Sequence, residues 1–393
     1  MGRRFALLSH LLPPSATGQP VMIGRLLSGV APEEYCLIGL AGASPPEAAV
    51  VAGGTLPATR HLLPVEQRLR GAGRVGLPVL DWRWRLRQRS RNLRSLLRSA
   101  AVQALVACSG DLLNIPAAAL AAGGTGTRVI AYYFDDYPLQ WIPSSERRFA
   151  VDFERRLIAQ GSAFIVPNEF LRDELLRRGA GRVAIVRNPL PDDHFPDAAA
   201  APWPTNPGTL DVVFAGAIYH AHADAFRNLL AAMALVSDLR PKLRLLTAQP
   251  RSDLERIGVA GPRVERSGHL DDEQIQHALR AADVLFLPLA FDSPIAEVIR
   301  TSSPGKLADY LITGRPVLLH APSDSFPVQY ARRNACAWVV DRKAPQILAD
   351  TLREIVSEAS ARRTVTGQAV DCARRDFSAE SARGAFLELL ERA

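Results

Sequence analysis

Short apolar runs recur along the chain, each closed by polar or turn-forming residues. Phe5 to His10 reads as a first strand. A loop holding Pro13, Pro14 and Gly18 follows, then a helix from about Val21 to Val30, and a second strand at Tyr35 to Gly39. Further strands are predicted at Ala104–Cys108, Val129–Phe134, Ala163–Val166 and Val183–Val186, with a helix over Glu169–Arg178 before the last of these. The pattern then breaks. From Asn188 to residue 210 the chain holds Pro189, Pro191, Pro196, Pro202, Pro204 and Pro207, too many for any regular element. After the break, alternation restarts. Strands are predicted at Val212–Gly216, Leu243–Thr247, Val284–Leu287, Pro316–Leu319 and Val339–Val340. Helices are predicted at 224–238, 272–282 and 304–312, with more at the C-terminus.

Strands separated by helices imply parallel sheets covered on both faces. The expected class is α/β, with two Rossmann-like doubly wound domains facing a central cleft. The expected boundaries are 1–195, a linker at 196–210, a second domain at 211–375, and a helix at 376–393 that can pack back on the first domain. Ligands of such sheets bind beyond the carboxyl ends of the strands. With 393 residues the chain is long enough for two cores. No run of about 18 apolar residues lacks an Arg, Gly or Pro, which argues against a membrane-spanning helix. Met1 to Arg4 read as the lead-in to the first strand and not as a cleaved leader.

Charge changes this picture. The formal net charge is +7. Residues 1–200 hold 24 Arg, no Lys and 17 acidic residues, so the whole excess lies in the first half. Residues 81–98 carry Trp82, Trp84 and Arg83, Arg85, Arg87, Arg89, Arg91, Arg94 and Arg98. Leu86, Leu93, Leu96 and Leu97 give this stretch an apolar helical stripe. The arginines from Arg83 to Arg98 form either a solvated face or a patch for anionic lipid heads with the Trp rings at the interface. No recognition motif accompanies them, so nucleic acid is not expected as a partner.

Several motifs lead nowhere. Gly71-Ala72-Gly73-Arg74-Val75-Gly76 fits the dinucleotide pattern, but Pro78 follows where a helix should open. Cys36, Cys108, Cys336 and Cys372 are far apart, and no Cys/His zinc spacing exists. His220-Ala221-His222 lacks further ligands and there is no Asp-x-Asp, so no metal and no cofactor are expected.

The informative stretch is Ser302-Ser303-Pro304-Gly305-Lys306-Leu307-Ala308-Asp309-Tyr310-Leu311, then Thr313-Gly314-Arg315-Pro316-Val317-Leu318. Ser303 is expected to cap a helix that Pro304 opens, and Gly305 to leave its backbone approachable. Lys306 in a first turn costs about 0.3–1 kcal/mol against the helix dipole unless a phosphate binds there. Asp309 shares its face. A plain capped helix with a Lys–Asp pair would look the same.

This stretch resembles the donor-site helix and following strand of GT-B fold glycosyltransferases, especially the family-four-like group. Val213-Phe214-Ala215-Gly216, Gly268-His269-Leu270, Ala282 to Leu289, Val186 to Leu190 and Pro13 to Gly18 resemble other segments of that fold, in the expected order. The resemblance implies a glycosyltransferase, of the hexosyltransferase class, moving a sugar from a nucleotide diphosphate sugar to a lipid-linked or polysaccharide acceptor. It places the protein in the cytoplasm, at the inner membrane face if the arginines seat there. It implies a donor site of Gly216, His220, His222, Ser302, Ser303, Gly305, Lys306 and Asp309, and an acceptor-side loop at Gly18 and Gln19. By the same resemblance Asp136, or its neighbour Asp135, is the base, although either could simply cap the next segment. The chain departs from the pattern at Ala217 and Thr301, where related chains carry a basic and an acidic residue. A non-catalytic binding subunit, or a sugar-nucleotide epimerase on the same fold, is the alternative reading.

Overall fold

The computed structural model describes residues 5–15, 18–43, 56–69, 78–100, 102–191, 203 and 208–392. The Met1–Arg4 lead-in, the Gly71–Gly76 motif and most of the 196–210 linker lie outside these. The chain divides into two compact units, Met1–Asn188 with Ala379–Ala393, and Pro189–Ser378.

In the first unit the elements run β1 (Phe5–Leu8), α1 (Gly18–Leu27), β2 (Tyr35–Leu40), β3 (Thr59–Leu63), α2 (Pro78–Ala100), β4 (Ala104–Cys108), α3 (Asn114–Ala122), β5 (Arg128–Tyr132), α4 (Ser145–Ala159), β6 (Ala163–Val166), α5 (Glu169–Arg177) and β7 (Arg182–Ile185). The second unit has β8 (Leu210–Ala215), α6 (Ala223–Leu235), β9 (Pro241–Leu246), α7 (Arg251–Arg256), β10 (Val264–Arg266), α8 (Asp272–Arg280), β11 (Val284–Pro288), α9 (Ala296–Thr301), α10 (Gly305–Leu311), β12 (Val317–His320), α11 (Phe326–Asn334), β13 (Trp338–Val340), α12 (Pro345–Ser357) and α13 (Ala359–Asp376). The last helix, α14 (Ala379–Arg392), belongs to the first unit.

Each unit is built on one parallel sheet. The strand orders are β3-β2-β1-β4-β5-β6-β7 and β10-β9-β8-β11-β12-β13. Both orders reverse direction once, between β1 and β4 and between β8 and β11. A crevice opens at such a reversal, beyond the carboxyl ends of the two strands. The central strands are buried along their whole length, as a sheet covered on both faces requires.

Helix α2 shows how the sequence balances its two demands. Pro78 opens it, and Arg, Leu and Gln are good helix formers. Its buried stripe is Trp82, Leu86, Leu93 and Leu97 at helical spacing, with Arg89 and Ser90 buried among them. Arg89 is 1% exposed, so its charge must be satisfied inside. Its Nε donates to Glu66 Oε1 at 2.6 Å, and its Nη1 to Asn114 Oδ1 at 2.7 Å and to Asp111 Oδ1. Helix α14 buries Phe386 against Phe5 at 5.4 Å between ring centroids, and Arg383 Nε donates to the Leu26 carbonyl. In the second unit Trp203 donates to the Asp283 carbonyl at 3.0 Å, under the guanidinium of Arg362.

Candidate functional site

Five of the residues expected at a donor site, Gly216, His220, His222, Lys306 and Asp309, converge at the carboxyl end of β8. There the chain turns at Gly216 with φ +112°, a conformation that favours glycine. A Cβ at Gly216 would lie 2.8 Å from Lys306 Cε and 3.1 Å from its Nζ. The bare backbone is what lets Lys306 close on this turn. Lys306 Nζ stands 5.1 Å from the centroid of the Phe214 ring. It makes no hydrogen bond or ion pair with another described residue. Burial holds its pKa below the ordinary lysine value, with Asp309 pulling the other way. Asp309 lies one turn further along α10, half-buried.

His222 is 6% exposed and its Nδ1 has no hydrogen-bond partner among the described residues. Burial, then the charges of Lys306 and His220, push its pKa down to about 3, so the imidazole is neutral at physiological pH. Tyr219, 51% exposed, sets its ring edge-on to His220 at 5.4 Å and to His222 at 4.5 Å. Gly216, His220, His222, Lys306 and Asp309 therefore belong to one place.

The α10 start differs from expectation. Ser303 does not occupy the cap position, and Pro304 does not open the helix. Pro304 is itself the cap, with ψ +126° and no side-chain capping bond, and the helix begins at Gly305. The cause is local: Ser302, before Ser303, and Pro304 both hold extended backbone, and a residue preceding proline is pushed the same way. Ser303 is buried, while Ser302 and Gly305 are half-buried. Thr301, 2% exposed, turns its hydroxyl back to the carbonyls of Glu297 and Val298.

In the first unit the two adjacent acids have opposite surroundings. Asp136 is fully buried and accepts from Arg178 through both oxygens, at 3.0 and 2.5 Å. Arg178 also holds Glu154, which receives the Tyr133 hydroxyl. That carboxylate is tied into the structure. Asp135 is half-buried and makes no hydrogen bond or ion pair with a described residue. Burial, and the charge of Asp136, push its pKa up to about 6.

Sequence reasoning missed His10. It read this residue as the end of the first strand, but β1 stops at Leu8 and His10 stands beyond its carboxyl end. Gly110 lies beyond β4, the neighbouring strand across the reversal. A Cβ at Gly110 would collide with the Gln19 amide oxygen and the His10 ring. His10 Nδ1 has no hydrogen-bond partner among the described residues, and burial lowers its pKa, with Asp111 opposing that shift. Gln19 Nε2 donates to Ser9 Oγ at 2.9 Å, while Gly18 is exposed with open space around it. A histidine directly after an apolar strand, at a sheet reversal, was the available signal. No group of three or more metal-ligating side chains occurs among the described residues.

No family model matches the chain, and no curated protein matches it in sequence. Solved structures do match over their whole length. A glycosyltransferase from Rickettsia africae aligns at TM-score 0.69 and 11% identity, covering 100% of this chain and 99% of that one. Anabaena HepE, solved in complex with UDP and glucose, aligns at TM-score 0.68 and 13% identity, covering 100% of each chain. Sucrose-phosphate synthase from Thermosynechococcus elongatus aligns at TM-score 0.73 and 15% identity, covering 99% and 98%. At such identities the likeness shows the fold: the chain has the two-domain α/β fold of the GT-B glycosyltransferases.

Proposed function

We propose that the protein is a glycosyltransferase that moves a sugar from a nucleotide diphosphate sugar to a lipid-linked or polysaccharide acceptor. The observation that carries this reading is Lys306. A half-buried ammonium with no anionic contact, drawn against the Gly216 turn beside a neutral histidine, is a site short of one negative ligand. A diphosphate supplies that charge. It would accept from Lys306 Nζ and approach the bare Gly216 backbone. His222 would add a hydrogen bond from its open nitrogen, and Asp309 would take the ribose hydroxyls. As the sugar leaves, charge builds on the diphosphate, which is where a fixed ammonium lowers a transfer barrier most.

On the acceptor side, Asp135 is the proton acceptor in this reading, since Asp136 is committed to Arg178. His10 and Gln19 hold the acceptor hydroxyls. HepE, one of the structures sharing the fold, was solved with UDP and glucose, which supports a uridine nucleotide as the first ligand to try.

Calorimetric titration with UDP, GDP and their sugars tests the reading. Lys306→Ala should weaken the best binder by about ten- to a hundredfold, the loss of one charged hydrogen bond of roughly 1.5–3 kcal/mol. Absence of binding by every nucleoside diphosphate, or equal binding by the variant, defeats it.

A further inference from the structure

We propose that helix α2 seats the first unit on an anionic lipid bilayer. Its outward stripe reads Leu80, Trp84, Arg87, Arg91, Ser95 and Arg98, at spacings of four, three, four, four and three residues, which is one helical face. Leu80 is 45% and Trp84 39% exposed. The face is thus apolar at its start and cationic along the rest.

The partners of the arginines separate two classes. Arg85 pairs with Glu66, Arg89 with Glu66 and Asp111, and Arg94 donates to the carbonyls of Leu120 and Ala121. Those three serve the fold. Arg83, Arg87, Arg91 and Arg98 make no hydrogen bond or ion pair with any described residue. Between Arg60 and Arg98 the only acids are Glu66 and Asp81. Glu66 faces Arg85 and Arg89, and Asp81 accepts the Leu69 backbone N–H at 2.7 Å. A solvated helix face usually mixes signs; this one has its anions turned into the seam beneath it.

The apolar groups decide the partner. Segment 64–69 runs beside α2, held also by Gln67 N donating to Gln88 Oε1 at 3.1 Å. Its Leu69, whose backbone N–H is held by Asp81, brings an exposed apolar side chain beside the start of α2, where Leu80 and Trp84 are also exposed. Phosphates of a nucleic acid would match the arginines but leave these side chains in water. A bilayer interface takes both: phosphate heads for Arg, the headgroup boundary for Trp and Leu.

The direction of α2 adds a consequence that rests on the transferase reading, though the docking itself does not. The helix ends at Ala100, just before β4 begins, so Leu80 and Trp84 lie toward the carboxyl end of the sheet. His10, Gln19 and Asp135 stand at that end. A lipid-borne acceptor would then be presented to them from the surface on which α2 rests.

Co-sedimentation of the full chain with vesicles tests this. Binding is expected to phosphatidylcholine mixed with phosphatidylglycerol and not to phosphatidylcholine alone, and to weaken as salt rises. Replacing Arg83, Arg87, Arg91 and Arg98 together by Gln should lower the partition coefficient by about two to three orders of magnitude, at about fivefold per residue. Trp84→Ser should remove the blue shift of fluorescence on binding. An unchanged circular dichroism spectrum and urea midpoint show that these variants are folded, and calorimetric binding of the nucleotide, scored separately, separates failure here from failure of the transferase reading. Equal binding to both vesicle types, an unaffected quadruple variant, or binding of duplex DNA in place of vesicles overturns the proposal.

Discussion

Asp135 and Asp136 are chemically identical neighbours, yet their surroundings assign them different work. Asp136 faces Arg178, whose guanidinium holds both its oxygens, so its charge is spent on fixing the end of β5 to the segment after α5. Asp135 has no partner among the described residues, and its pKa is pushed up to about 6 by burial and by its neighbour's charge. A raised carboxyl pKa means that the proton is kept up to a higher pH, so the basic form is present only above about pH 6. If Asp135 takes the acceptor proton, kcat/KM should be level above about pH 6 and drop about tenfold per unit below it. Asp135→Asn should cost about 10²–10⁴ in kcat and remove that acid limb. A pH–rate profile of both forms checks this, and an unchanged limb in the variant rules Asp135 out. The sequence could not separate the two acids, because the arginine that does so lies 42 residues away. Lys306 was legible for the opposite reason: its helix, its aspartate and its glycine neighbours are close in the chain. Gly216 was legible only through resemblance, since its contact with Lys306 spans ninety residues.

Elements were readable where burial is complete. Strands β1, β4, β6 and β12 are buried throughout and appear as uninterrupted apolar runs. Strand β3 escaped, because it lies at the sheet edge as Thr-Arg-His-Leu-Leu with only Leu63 buried. Its pairing with β2 comes from backbone hydrogen bonds, which leave no mark on side-chain pattern. Helix α4 also went unread. Ser144 caps it through the Arg147 N–H, but its charged positions outnumber its buried ones, Ala150, Phe153, Glu154 and Leu157. Helix α14 is the element whose place in the fold is most exposed to test. Its apolar face, with Ala382, Phe386, Leu389 and Leu390, completes a core begun by β1, β2 and α1. Phe386 is fully buried there. Phe386→Ala leaves a cavity and should destabilise this unit by about 3–5 kcal/mol. Urea unfolding followed by circular dichroism would register the loss; a shift under 1 kcal/mol would mean that α14 is held there weakly.

At the scale of the molecule, two sheets with one reversal each divide the chemistry. The second unit carries an ammonium without an ion pair and the neutral histidine; the first carries the excess positive charge of the sequence, and an acid and a histidine at its sheet end that lack partners among the described residues. This division makes binding and stability separable. A ligand that binds the folded second unit alone stabilises it by RT ln(1 + [L]/Kd), about 2.7 kcal/mol at a hundred times Kd. Amide hydrogen exchange with UDP present should therefore slow in β8, α10 and the turn at Gly216 far more than in β1 or β4. The same protection should vanish in Gly216→Ala. The new Cβ would crowd Lys306 and force a residue with a side chain into a φ of +112°, a strain of about 1–3 kcal/mol confined to this turn. Protection spread equally over both units, or kept in the variant, would mean that the nucleotide is not held at this turn. Because the predicted slowing is local, it also distinguishes a donor site from general compaction, which would slow both sheets alike.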